Sequence, residues 1–328
     1  MSALTPPPAI ARIVAHIRRH LPEPPSSASS PRPPLFVAIQ GPQGSGKTFL
    51  TKHVAAALAA GSTEHVSLRI AALSIDDLYL SHDDLTALAD ARPTNKLLQG
   101  RGQPGTHDVR VGLRTLQALK FINSPGAPSS VKIPFFDKSL FGGEGDRVPE
   151  TEWITVERPL DVVLFEGWCV GFCPQSRDEI ERRMGETPIG LDGFFDISQY
   201  TLGDVLEVNE LLVDYIDCWN LFDLFVQIVP AETSPYVHIY KWRLQQEHVM
   251  KARNGGRGMS DEQVKAFVDR YIPGYHFFGS GILQGGTDPL SGEKIVPPWL
   301  RPDNRHGAGR LLRVTIGEGR ELLNTVTQ

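Results

Sequence analysis

The stretch Gly41-Pro42-Gln43-Gly44-Ser45-Gly46-Lys47-Thr48 has the residue types and spacing that hold a polyphosphate. Glycine lacks the Cβ that blocks close approach, so backbone N–H groups in such a stretch can curl around phosphate oxygens. In the GxxxxGK(S/T) pattern the lysine reaches the outer phosphates and the next hydroxyl is placed to ligate Mg2+, roles that fall to Lys47 and Thr48. The flanking sequence supplies the setting the pattern needs. Residues 35–40 (LFVAIQ) are an apolar run of strand length, and residues 49–60 read as an Ala-rich helix ended by Gly61. A helix N-terminus beneath the glycines adds partial positive charge. Phe49, the first residue past the motif, is counted with it as a nucleotide contact.

A phosphate donor needs acids and an acceptor beside it. Ligands gather at the carboxyl ends of strands in doubly wound sheets, and a second apolar stretch, residues 68–75, runs into Asp76 and Asp77. One carboxylate there can take the proton of a hydroxyl attacking the γ phosphate, and the other can hold Mg2+ through water. Either can instead cap the turn that follows. Asp76 is the expected base; Asp77 is the secondary candidate, for metal or cap. In Asp161-Val-Val-Leu-Phe-Glu166-Gly167 a dense apolar run precedes Glu166. Such a run is interior and its end faces the ligand crevice, which makes Glu166 the expected metal-side acid in place of the more usual Asp.

Basic charge accumulates towards the end of residues 240–257, YKWRLQQEHVMKARNGGR. Two readings fit: cations complementing the negative end of a helix, or a helical lid over about residues 240–260 whose Arg253 or Arg257 closes on ATP and stabilises transition-state charge. Ser260-Asp-Glu-Gln263 has the capping-box pattern that restarts a helix. Residues 92–107 and 136–152 are loops long enough to be functional.

The elements that must position these groups alternate. Further strands are expected at 162–165, 224–229 and 311–316, and helices near 109–121, 209–219, 237–252 and 261–271. Buried strands alternating with helices give an α/β fold, a parallel sheet with helices on both faces. Residues 277–309, rich in Gly and Pro, read as irregular surface. The chain divides into an N-terminal helix and Pro/Ser linker over 1–34 and a nucleotide-binding domain over 35–328. Arg12, Arg18 and Arg19 occur near the start without an acid, and Ile10, Ile13, Val14, Ile17 and Leu21 recur at helical spacing. That pattern fits a short amphipathic helix docked on the domain, and also a mitochondrial presequence.

At 328 residues, 41% hydrophobic and 22% charged, the composition excludes collagen, coiled coil and wholesale disorder. A formal charge of -5 gives no reason to expect nucleic acid or an anionic membrane as partner. No apolar run reaches the roughly 18 residues of a membrane helix. Cys169, Cys173 and Cys218 are an odd, sparse set without zinc spacing, so a reducing compartment is expected: the cytoplasm, or the mitochondrion if the basic helix is a presequence. The expected partner is a small molecule, and oligomeric state stays open. A guanine-reading (N/T)KxD motif is absent, since Asn95-Lys96 runs into Leu97-Leu98, which argues against a nucleotide switch.

Together, GPQGSGKT, SIDDLYL, NKLLQGRGQPGTHD, FFDKSLFGGEGDR, LFEGW, WRLQQEH and GMSDEQVKAFVDRYIPGY resemble the fungal and plant D-glycerate 3-kinases. That group includes fungal proteins described as probable ATP-dependent kinases and is related to phosphoribulokinase, uridine kinase and bacterial pantothenate kinase. The resemblance runs from the N-terminal helix to about Tyr275. It implies a P-loop NTPase fold and ATP- and Mg2+-dependent phosphorylation of D-glycerate at its 3-hydroxyl. A nucleoside or pantothenate is the alternative acceptor, and a regulatory ATPase the alternative class. The resemblance also implies a base at Asp76, an acid near the metal at Glu166, and an acceptor pocket lined by residues 103–108 and 137–147. There His107 and Asp108 can bond hydroxyls, Arg101, Lys138 or Arg147 can pair with a carboxylate, and Tyr79 joins them from the Asp76 motif. Each has a structural alternative: His107 and Asp108 can cap the helix from Val109, and Lys138 and Arg147 can sit on a solvated loop.

Overall fold

A computed structural model describes residues 7–22, 32–61, 65–231, 235–302 and 308–328. Its centre is a six-stranded sheet of β1 (Leu35–Gln40), β2 (Ile70–Ser74), β3 (Val162–Gly167), β4 (Leu224–Pro230), β5 (Leu311–Ile316) and β6 (Leu322–Thr327), in the order 6-5-4-1-3-2. Neighbours are parallel except β6, which returns antiparallel along β5.

Successive side chains of a strand point to opposite faces, and here both faces are apolar. Phe36, Ala38, Val163, Phe165 and Phe225 enter one core; Leu35, Val37, Ile39, Val162, Leu164 and Val226 enter the other. A sheet of this kind must be covered twice. The first face carries the helices Val109–Lys120, Leu202–Leu212 and Ile272–Phe278, and the second carries Lys47–Ala60 and the N-terminal helix Pro8–Arg19. The N-terminal helix is docked. Its Ile10, Ile13 and Ile17 are buried in the second core, and Arg18 donates to the carbonyls of Leu58 and Val66 at 3.3 and 3.2 Å. Residues 23–31 of the expected linker lie outside the described residues.

Several boundaries differ from expectation for local reasons. The helix expected at 209–219 begins at Leu202, because Thr201 and Asp204 form a capping box, and after Leu212 it tightens into a 3-10 turn before Ile216–Trp219. The helix expected at 261–271 ends at Asp269, and a separate helix, Ile272–Phe278, follows with Pro273 in its first turn, where proline is tolerated. Of the expected irregular stretch 277–309, residues 277–302 are more ordered than expected: Gly286–Thr287 pairs with Lys294–Ile295, and the buried Trp299 donates its indole N–H to the Ile282 carbonyl at 2.9 Å; residues 303–307 lie outside the described residues. Strand β6 is unexpected, since its mostly exposed residues lack alternation. The loop 136–152 is a hairpin flap whose Phe136–Asp137 pairs antiparallel with Asp146–Arg147. All three cysteines are buried and free, and no helix among the described residues is long and apolar enough to cross a membrane.

Candidate active site

Strand register brings the expected groups to one edge. Gln40 of β1 lies level with Gly167 of β3, and Ser74 of β2 lies level with Glu166. The glycine loop after β1, the acid at the end of β3 and the acid pair after β2 therefore open on a single crevice. The Gln40 side-chain amide donates to the Trp168 carbonyl at 2.9 Å and ties two of these ends together.

In the loop, Gly44 and Gly46 hold φ of +74° and +83°, where glycine is favoured. A Cβ at Gly44 would also stand 2.5 Å from Cβ of Trp242, so the position admits no side chain on steric grounds. Thr48 Oγ1 donates to Glu166 Oε1 at 2.8 Å, while Glu166, 5% exposed, keeps Oε2 buried and unpartnered. Ser45 Oγ and Gln43 Oε1 are likewise buried without partners, and the Gln43 N–H donates to the Tyr275 hydroxyl at 3.2 Å. Buried polar atoms are normally satisfied. A glycine cradle, a hydroxyl–carboxylate pair and orphaned oxygens together fit a nucleotide and its divalent cation.

Across the crevice, Asp76 Oδ2 lies 2.5 Å from the Lys138 ammonium on the flap. Burial would lift the Asp76 carboxyl, but Lys138, Lys47 and His107 outweigh it and hold it at about 2. Beside the pair runs an aromatic wall. Tyr79 stacks on His107 with centroids 4.5 Å apart, Phe136 meets Tyr79 edge-on at 5.3 Å, and the Arg101 guanidinium lies 5.5 Å over Phe136.

Two donors in this wall lack partners: Arg101 Nη1 and His107 Nε2. Burial outweighs the pull of Asp76 and lowers His107 to about 4, so its ring is neutral near pH 7. The tautomer follows from the neighbour. The Tyr215 hydroxyl oxygen accepts the Gly105 N–H at 2.8 Å and lies 2.8 Å from His107 Nδ1. With that acceptance made, we assign its own hydrogen to Nδ1, which puts the ring hydrogen on the buried, unpartnered Nε2 as a donor. Gln103 Oε1 is also buried and unpartnered, beside Gly274.

Several expected site residues have structural partners in this structure. Asp77 Oδ2 accepts the Ser74 N–H at 3.1 Å in a capping box and Oδ1 faces the Phe136 N–H at 3.5 Å, so its carboxylate is turned to backbone and makes no hydrogen bond to Thr48 or Glu166. Asp108 caps the helix Val109–Lys120 through the Val111 N–H at 3.0 Å, and its other oxygen takes Arg147 Nη1 at 2.8 Å. The helix expected to form the lid is packed on the domain in this structure. Helix Pro235–Arg253 is held against the domain by the buried Ile239, Tyr240 and Trp242. Arg257 donates to its own Asn254 carbonyl at 3.3 Å, the C-terminal capping role, and Arg253 is exposed with no contact to the phosphate loop.

Three aromatic contributors escaped the sequence reading. Tyr215 orients His107. Tyr271 approaches Gly102, where a Cβ would lie 2.8 Å from its hydroxyl. Tyr275 holds the Gln43 N–H and meets Trp168 edge-on at 5.1 Å. The run DRYIPGY carries the last two, within a motif that the sequence offered only as part of the family resemblance.

No model of a known protein family matches the chain. It is 38% identical over 246 residues to the Probable ATP-dependent kinase TDA10 of Saccharomyces cerevisiae, covering 75% of this chain and 78% of that protein. It is 36% identical over 265 residues to the chloroplastic D-glycerate 3-kinase of Arabidopsis thaliana, covering 80% of this chain and 52% of that longer protein. Among solved structures, the D-glycerate 3-kinase of Cryptococcus neoformans var. grubii superposes with a TM-score of 0.79 at 36% identity, covering 98% of this chain and 99% of that one.

Proposed function

The chain belongs to the D-glycerate 3-kinase family of ATP-dependent kinases, and we propose that its own reaction is transfer of the γ phosphate of ATP to the 3-hydroxyl of D-glycerate. The observation that carries this reading is the pair of unpartnered donors, Arg101 Nη1 and His107 Nε2, in the wall beside Asp76. D-Glycerate offers a carboxylate, a 2-hydroxyl and a 3-hydroxyl in a row. Arg101 takes the carboxylate, the His107 Nε2–H donates to the 2-hydroxyl, and the 3-hydroxyl faces Asp76 and the glycine loop.

In the transfer, the 3-oxygen bonds to the γ phosphorus, the bond from that phosphorus to the β–γ bridging oxygen breaks, and the hydroxyl proton passes to Asp76. A carboxylate held near 2 is a weak base for a free alcohol. In a loose phosphoryl-transfer transition state, however, the proton leaves only as bonding to phosphorus acidifies the hydroxyl, so Asp76 acts first as an orienting acceptor. Lys138 keeps it ionised and aimed. Lys47 and the loop N–H groups hold the phosphates. Thr48 and Glu166 are the residues that would hold Mg2+, which when bound would offset phosphate charge. Tyr79 and Phe136, both buried, exclude water from the acceptor side.

The test is an acceptor screen with mass detection. ATP and Mg2+ are offered with D-glycerate, L-glycerate, uridine and pantothenate, and the position of the new phosphate is read by NMR. Phosphate on O3 of D-glycerate is expected. Product from uridine or pantothenate in its place, or ADP formation that no acceptor stimulates, would overturn the reading.

A further inference from the structure

The glycine loop is braced by a residue from the far end of the chain. Between β5 and β6 the backbone turns through Gly317-Glu318-Gly319-Arg320, closed by the Arg320 N–H on the Gly317 carbonyl and the Gly317 N–H on the Glu321 carbonyl, both at 2.9 Å. Arg320 holds φ of +66°, a left-handed conformation shared among non-glycine described residues only by Phe141. A residue with a Cβ is disfavoured there, so other contacts must hold it, and its side chain makes them. Arg320 Nε donates to the Gly44 carbonyl at 2.7 Å and Nη1 to Gln245 Oε1 at 2.8 Å. The guanidinium also lies 5.6 Å over the Trp242 ring.

Helix Pro235–Arg253 completes the clamp. The Trp242 indole N–H donates to the Glu318 carbonyl at 2.7 Å, Lys241 pairs with the Glu318 carboxylate at 2.8 Å, and Trp242 Cβ fills the space beside Gly44.

The consequence lies in one peptide plane. In a trans peptide the carbonyl and the following N–H point in opposite directions. With the Gly44 carbonyl held outward by Arg320, the Ser45 N–H is turned across the loop to the Pro42 carbonyl at 3.2 Å, which closes the turn. Gly44 and Gly46 have no side chains with which to restrain themselves, and glycine loses the most conformational freedom on being fixed. The restraint must come from outside the loop.

We propose that Arg320 is a positioning residue for ATP. It holds the Gly44–Ser45 peptide in the orientation that closes the turn on Pro42 and so shapes the phosphate loop and, with Trp242 and Gln245, links nucleotide binding to the C-terminal hairpin. This rests on residues 41–48 being the ATP site.

Full-length Arg320→Gln and Arg320→Lys are compared with wild type in steady-state kinetics, thermal melting and calorimetric titration with ADP. Arg320→Gln is expected to raise both the KM for ATP and the Kd for ADP about tenfold, with the KM for D-glycerate within about twofold of wild type. Arg320→Lys retains one donor without the planar fork and falls between the two. Should the Gln variant fail to fold, the Lys variant decides, on a rise of about threefold or more. Unchanged ADP affinity, a loss confined to the melting temperature, or an equal rise in both KM values would overturn the proposal. Because ADP titration needs no acceptor, a chain that phosphorylated another alcohol would defeat the D-glycerate reading and still decide this point.

Discussion

Lys138 Nζ stands 2.5 Å from Asp76 Oδ2, so the flap hairpin and the acid after β2 are joined before any acceptor arrives. Asp76→Asn is expected to lower kcat by about a hundredfold or more while the KM for ATP stays within about threefold. Lys138→Ala removes the strongest cation holding Asp76 near 2, and burial then lifts the carboxyl. The acid limb of the pH profile of kcat/KM for D-glycerate moves to higher pH in that variant. A limb that stays in place would separate Lys138 from Asp76.

Asp77 should behave in the opposite way. Burial outweighs its two backbone partners and raises its carboxyl from 3.8 to about 6, so the folded protein retains that proton longer than the unfolded chain. Stability therefore falls as pH rises from about 4 to about 6 and levels off above. Melting curves at steps between pH 4 and 7 should show this slope in wild type and not in Asp77→Asn, whose kcat should remain within about threefold of wild type. A loss of kcat as large as that of Asp76→Asn would return Asp77 to the chemistry.

The Thr48 hydroxyl and Glu166 carboxylate meet at 2.8 Å at the mouth of the glycine loop. Thr48→Val and Glu166→Gln should each raise the Mg2+ concentration for half-maximal activity by about tenfold. Metal titration at saturating ATP and acceptor measures it. An unchanged Mg2+ requirement in both would remove the pair from the metal site.

Tyr215 touches no reacting atom, yet its hydroxyl lies 2.8 Å from His107 Nδ1, and on our assignment it donates there and sets which ring nitrogen bears hydrogen. Tyr215→Phe should raise the KM for D-glycerate by about tenfold and leave the KM for ATP unchanged. Heteronuclear NMR of the imidazole nitrogens should show the tautomer mixture shifting. If the ring keeps one tautomer in the variant, another group sets it.

The parts of this site legible in the sequence are those encoded locally. A strand, eight motif residues and a helix fall in continuous order around Lys47, and acids follow apolar runs at Asp76 and Glu166. Residues that act across the fold left no comparable mark. Tyr215 is 108 positions from His107, and Arg320 is 276 from Gly44; a tyrosine at helical spacing reads as core, and an arginine in a Gly-rich turn reads as surface. Asp77 and Asp108 show the converse. Their residue type suits both a site and a cap, and only the geometry of the neighbouring N–H groups shows the cap.

The docked N-terminal helix bears on how the protein can be shortened. A version begun at β1 would uncover apolar surface of helix Lys47–Ala60 and of β5, where Ile10, Ile13 and Ile17 of the N-terminal helix now pack. Such an oily strip invites self-association, so any trimming for expression or crystallisation has to leave that opening segment in place.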